Sequence, residues 1–300
     1  MADLKQHRAA MVNGILGCKA VPTKVVLQGM ADLEKALERQ LREAHAQRAE
    51  FSRANAAVRD QRLGPLARDR KTWAESAHRL RALEKTLRSK PVTAPTVAKK
   101  KERVFLGSIG ATRVVPFDYP WTWKASVGGP TVFTSADVTA GTMRIHDKPN
   151  VNNPSSDGAR AALGIFFSSP LECPAPFWFW ANPAFSFFWW DTCQFAAGHS
   201  DGFIGLYAAA YHWSGAFAGV MVDQMIPLWS DSSWWWGASG SGSSRGYPLS
   251  GQFEVDSDHF YALWVWCGIN DSSEGWGDIS GSSAGANMAV NLPSISWELG

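Results

Sequence analysis

Gly198-His199-Ser200-Asp201-Gly202 is a Gly-x-Ser-x-Gly pentapeptide. In that pattern a serine can sit on a strained turn between strand and helix, its oxygen exposed to a histidine base. An aspartate and a histidine should then follow in chain order, and Asp231 and His259 do. Ser200, Asp231 and His259 are therefore the candidate constellation for nucleophilic hydrolysis. The surrounding chain argues against it. No alternation of strand and helix precedes the motif, and Gly242-Ser243-Ser244-Arg245-Gly246 repeats the pattern inside a plain Gly/Ser loop. A β-turn loop is the simpler reading.

Two oxygen-rich clusters, Asn152/Asn153/Asp157 and Asp256/Asp258/His259, raise the question of a cation. Calcium takes six to eight oxygens, and neither cluster has the EF-hand spacing or a dense acidic repeat. Both read as turn-forming residues, so neither a metal nor a cofactor is expected. Carboxylate pairs for glycoside hydrolysis can be drawn from Asp191, Asp223, Glu254 and Asp256, but spacing along the chain does not set their separation in space.

The aromatic residues give a different kind of candidate. Trp234-Trp235-Trp236 stands between Asp231-Ser232-Ser233 and a Gly/Ser loop. Three consecutive indoles on an extended chain cannot all point to one face, so at least one should meet solvent or a partner. With Asp231 they form the expected ligand-binding set: an apolar ring to stack on, and an acceptor at its edge. Trp121 and Trp123 share a strand parity, as do Trp264 and Trp266. A sugar or a protein surface would suit such indoles.

The elements that must position these residues differ sharply along the chain. Residues 1–103 carry 23 Lys/Arg against 11 Asp/Glu, and residues 104–300 carry 6 against 16. Fifteen of the 16 tryptophans follow residue 104. A basic front is thus joined to an acidic, aromatic back, which argues for separate modules. With 45% hydrophobic residues the chain can bury a sizeable core.

Residues 1–23 form an N-terminal segment. Residues 24–90 read as a helical stalk or hairpin. Met30, Leu33, Leu37, Leu41, Ala44, Phe51, Ala54 and Val58 recur at threes and fours, and Gly64-Pro65 breaks the run. Leu66, Trp73, Leu80 and Leu87 then follow at a spacing of seven, as in a coiled-coil seam. Self-association or docking on another protein is expected through residues 24–90. The arginines here alternate with glutamates and read as a solvated face rather than a nucleic-acid surface. Residues 91–103, ending in a lysine tract, read as a basic linker.

Residues 104–300 change to short apolar runs between Gly, Ser, Asn, Asp and Pro. Thr142–His146, Gln252–Asp256 and Ser294–Leu299 alternate with period 2, while Ala161–Phe167, Phe177–Trp180, Phe185–Trp190 and Phe260–Cys267 are apolar on both parities. Phe203–Trp213 fits either period. The fold expected is α+β in chain order: a helical hairpin or coiled-coil stalk, then an antiparallel all-β sandwich of jelly-roll type. Cys173 and Cys193 either pair across strands or stay as buried free thiols.

The opening residues hold no secretory h-region, and no run reaches the roughly 18 apolar residues of a membrane span. That points to synthesis in the cytoplasm, compatible with release or incorporation into a particle. The function expected is a non-enzymatic binding or assembly protein, its β-sandwich recognising a glycan or protein surface. The competing readings are a structural subunit of a particle or filament, a serine hydrolase or glycosidase, and a toxin whose basic amphipathic helices enter membranes.

Overall fold

The computed structural model describes residues 23–63, 113–116, 119, 121–128, 132–147, 155–169, 173–194, 197–233, 237–273 and 281–300. Among them one helix, α1 (Thr23–Leu63), precedes a body built entirely of strands. All strand pairings are antiparallel, which excludes a doubly wound α/β sheet.

One layer is a sheet of five strands in the order β2 (Trp121–Val127), β5 (Ser155–Ser168), β12 (His259–Ser273), β8 (Gly198–His212), β9 (Phe217–Ser233). Opposite it lie two sheets. The first is ordered β10 (Ala238–Ser244), β7 (Ala184–Gln194), β13 (Gly281–Asn291), β4 (Thr142–Asp147), β3 (Val132–Asp137). The second runs β1 (Arg113–Pro116), β14 (Ser294–Leu299), β6 (Ala175–Ala181), β11 (Leu249–Val255).

These two sheets are halves of one bent layer. Asn182-Pro183 separates β6 from β7, and Leu292-Pro293 separates β13 from β14. A proline has no N–H to give a ladder, so two aligned prolines break two neighbouring strands at the same level. The main core fills the space between the layers. Leu163, Ile165, Ile204, Leu206, Leu263 and Val265 of the long sheet face Met143, Ile145, Phe177, Phe179, Met288, Val290, Ile295 and Trp297. The body is an antiparallel β-sandwich.

The run Phe177–Trp190 builds the middle of the bent layer. Phe177 and Phe179 point inward and are buried, and Phe177 stacks on Phe167 with ring centroids 4.5 Å apart. Trp178, on the opposite parity, is exposed and donates its indole N–H to Gln252. Phe203–Trp213, ambiguous in period, is strand: it completes β8 and enters the turn to β9.

The helix does not form the stalk expected of it. Leu33 and Leu41 are buried and Leu37 half-buried, but the cover is the outer face of the long sheet rather than a hairpin partner or a second copy. Near Gly29 the helix touches Phe260 and Tyr211, and at Arg48 it reaches Asp201. It therefore lies along the strands. A 3.6-residue stripe needs an apolar surface, and here the sheet supplies it. Ala54, further along, is exposed. The heptad Leu66–Leu87, the linker and residues 1–22 lie outside the described residues.

Candidate functional site

The pairing register sets the chemistry of the face under α1. Reading across β2, β5, β12, β8 and β9, one row is Trp121, Gly164, Trp264, Tyr207, Asp223; the next is Trp123, Ala162, Trp266, Gly205, Met225; a third is Ala125, Arg160, Gly268, Phe203, Pro227. Directly paired residues share a face. The two Trp-x-Trp pairs therefore stand on one surface, interleaved with glycine and alanine.

Those small residues are required. A Cβ on Gly205 would fall 2.4 Å from Trp266 Nε1, and one on Gly268 would fall 2.4 Å from the Phe203 ring and 2.5 Å from Arg160 Cδ. Large rings thus lie flat over small neighbours and form a nearly continuous aromatic floor. Tyr207 stacks on Trp264 at 4.3 Å between centroids, Trp264 leans on Trp121 at 5.3 Å, and Trp266 meets Phe203 edge-on at 5.2 Å.

A groove of about 480 Å³ opens over this floor. Leu37, Gln40, Leu41 and Ala44 of α1 form one wall, and Val220, Asp223 and Met225 of β9 the other. Trp123, Arg160, Tyr207, Trp264 and Trp266 lie beneath. Its size falls in the range of small-ligand sites, roughly 300–1,000 Å³.

Arg160 is a fixture of the floor. Its guanidinium sits 4.2 Å from the Phe203 ring centre and donates to the Ala159 and Ile269 carbonyls and to Asn270 Oδ1 at 2.7–2.9 Å. Burial, and then the charge of Arg48, hold its pKa below the ordinary arginine value. Burial, helped by the Asp223 carboxylate, raises the Tyr207 hydroxyl. Asp223 is the one carboxylate on the groove wall, and Gln40 faces it from the helix. The arrangement offers ring faces flanked by one acceptor and one amide. Among the described residues its lining holds no second carboxylate.

At one end of the groove the helix is tied down by polar contacts. Arg48 lies 3.8 Å from Asp201, which His199 Nε2 also meets at 2.7 Å. His45 bonds the Ser156 carbonyl. Burial pushes Asp201 up, but hydrogen bonds from His199 and Ser230 outweigh it and hold its carboxyl below the usual value. The same bond to Asp201 raises the His199 imidazole against the opposing effect of burial.

The residues singled out for hydrolysis are not assembled. Ser200 is fully buried within β8, not on a turn between strand and helix, and accepts the Trp229 indole N–H at 3.0 Å. Asp231 is its cross-strand neighbour on β9. His259 is at the far end of the sheet: Ser200 pairs with Asp271, while His259 pairs with His212 and bonds Asp256 at 2.8 Å. Twelve residues of extended β12 separate the two levels, about 40 Å. A continuous strand has carried the histidine away from the serine.

Of the carboxylates considered for glycoside hydrolysis, Glu254 and Asp256 are chain neighbours two residues apart, while Asp191 and Asp223 lie elsewhere. Asp191 lies inside the sandwich, Asp223 on the groove wall, Glu254 on β11, and Asp256 in the turn after it. Among the described residues no group of three or more His, Cys, Asp or Glu is arranged to hold a metal ion. No described helix is long and apolar enough to cross a membrane. Trp234, Trp235 and Trp236 lie outside the described residues, as do Asn152 and Asn153. Cys173 is a free, exposed thiol and Cys267 a free, buried one.

No known protein family matches the chain. No curated protein matches it either. Among solved structures, it aligns with the enzymatically active domain of tailspike protein 4 of bacteriophage CBA120 at 11% identity and TM-score 0.24, over 59% of this chain and 19% of that one. A family 11 carbohydrate-binding module of Clostridium thermocellum aligns at 11% identity and TM-score 0.20, over 64% and 97% of the two chains. The C-terminal CBM6 of a laminarinase from Zobellia galactanivorans aligns at 12% and TM-score 0.19, over 63% and 99%. Likeness this slight carries neither ligand nor activity to this chain.

Proposed function

We propose that the chain is a non-enzymatic glycan-recognition protein, its β-sandwich holding a neutral oligosaccharide in the groove between α1 and β9. The observation that carries the reading is the floor itself. Tyr207 and Trp266, both partly exposed, present rings over a polar-rimmed groove. The C–H face of a pyranose stacks on such rings while its hydroxyls reach donors and acceptors at the edge. Asp223 and Gln40 supply those edge groups. Three of the five Arg160 N–H groups are already used within the fold, so the groove favours neutral over acidic sugars.

Binding of neutral and acidic polysaccharides, followed by calorimetry on the best oligosaccharide, tests this. Trp266→Ala and Tyr207→Ala should each weaken binding about tenfold or more, the scale of losing one well-stacked ring (about 1.4 kcal/mol). The bound sugar should be recovered uncut. The parallel set Trp234→Ala, Trp235→Ala and Trp236→Ala separates this groove from the loop expected from sequence. Loss confined to that set would move the site there, and no binding to any glycan would end the reading.

A further inference from the structure

The interior of the sandwich turns polar at the level of Ser200. Asp157, Asp271, Ser200 and Asp231 lie side by side across β5, β12, β8 and β9. The neighbouring row, with Asp201, faces α1, so this row points between the layers. From the facing sheet come Asp191 on β7 and Asp147 on β4, both buried. Asp191 meets Asp231 and Asp271 meets Asp147, so carboxyl touches carboxyl twice across the gap.

The donors around the first pair can be counted. Asp191 Oδ1 accepts the Ala238 N–H at 2.6 Å, and the Ser233 hydroxyl donates to Asp231 Oδ2 at 3.2 Å. Asp191 Oδ2 is enclosed and meets no N–H donor. Among the described residues no lysine or arginine forms an ion pair with either carboxyl, and no metal-holding cluster is present there. Asp191 is buried while Asp231 is only partly so, and two carboxylates in contact with one of them out of water disfavour double ionisation. Something must sit between them.

We propose that Asp191 and Asp231 share one proton and form a pH-operated latch joining the two layers of the sandwich. The bond closes β7 to β9 and holds the last residues of β9, through Ser233, and the first of β10, through Ala238. Removing the proton leaves two facing charges and loosens both strand ends. Burial, then the Asp231 contact, lifts Asp191 to about 7, so the latch works near neutrality. The second pair reinforces it. Burial and the nearby Asp157 raise Asp271 to about 7 against the opposing pull of Ser200, Asp147 and His199. Arg48 of α1 acts from the other face of the sheet.

The sign follows from the proton count. Unfolded aspartates ionise near pH 3.9, whereas Asp191 in the folded protein keeps its proton to about 7. The contribution is complete below about pH 4 and is lost as pH rises through about 7. Amide exchange at Ala238, corrected for intrinsic rates, should speed about tenfold between pH 7 and 8, the factor for one unit beyond the pKa. Asp191→Asn and Asp231→Asn should stay folded and show no such step, because an amide can donate to the remaining carboxylate at any pH.

Carboxyl ¹³C titration of the wild-type chain gives a readout that needs no variant: a signal moving near pH 7 supports the latch, and aspartate signals all settled below pH 5 overturn it. An unchanged step in both variants also overturns it. So does restoration of Ala238 protection at pH 8 by millimolar calcium, since the pair would then hold a cation rather than a proton.

Discussion

Replacing Leu33 and Leu41 together with alanine should release α1 while the sandwich stays folded. Both leucines are about 5% exposed, and Leu37 between them is half-buried. At about 0.8 kcal/mol per buried methylene, truncating one leucine forfeits ~2.4 kcal/mol. The two sites are eight residues apart, about 12 Å along the helix, so their losses add to about 5 kcal/mol. Little remains to offset that. The Arg48–Asp201 pair is partly exposed and worth at most ~1 kcal/mol. The sandwich has its own core, the larger cluster between the layers, which includes none of the described side chains of α1.

Hydrogen exchange read by mass spectrometry, with calorimetry alongside, checks the outcome. Peptides spanning residues 28–50 should lose protection, those of β12 and β8 should keep theirs, and glycan affinity should fall with the loss of one groove wall. If helix and strands lose protection together in one transition, α1 is part of the cooperative core and the reasoning is wrong.

Gly205→Ala would set a Cβ 2.3 Å from the Gln224 carbonyl oxygen and 2.4 Å from Trp266 Nε1. It should cost ~1–3 kcal/mol and disturb glycan binding while leaving every aromatic residue in place, seen by denaturant melts and calorimetry. Ser200→Ala strips the acceptor from the buried Trp229 N–H; a stability loss of ~1–3 kcal/mol with no change in ester turnover is expected, and lost turnover would reopen the hydrolase reading. In the native protein a thiol reagent should modify Cys173 at once. Cys267, its thiol pushed by burial to about 12, should react only on unfolding.

How far the sequence foretold this depended on the range of the interaction. The Trp121/Trp123 and Trp264/Trp266 parities were visible because side chains alternate locally. The sandwich itself was legible for the same reason, from period-2 runs and from runs apolar on both parities. That both tryptophan pairs share one face was not, since it depends on the register of β2 on β5 and of β5 on β12, strands far apart in the chain. The Leu33–Leu37–Leu41 stripe was equally plain, but a stripe does not say what covers it. Sequence reasoning filled the gap with a second helix or a second copy; the sheet fills it instead. Ser200, Asp231 and His259 misled in the opposite way, because correct chain order says nothing about the length of strand between levels. The Asp191–Asp231 contact left no local signal: its partners come from different layers.

The groove follows from a mismatch of widths. Strands lie ~4.8 Å apart, so the five of the long sheet span about 19 Å between outer axes, whereas a helix with its side chains is about 10–12 Å across. One helix cannot cover the sheet. α1 packs over β2, β5 and β12 and reaches β8 near Tyr211 and Asp201, and the strip above β9 stays open. That strip carries Phe217, Val220 and Met225, each about half exposed or more, with Tyr207 and Trp266 where it meets the helix. The same aromatic face therefore does two things: part of its β2–β5–β12 surface holds α1 in place, and where α1 leaves off, Trp123, Arg160, Trp264, Trp266 and Tyr207 form the floor of the groove. A substitution that widened the helix contact, such as Ala44→Leu, would trade the second property for the first, raising α1 protection while closing the groove to ligand.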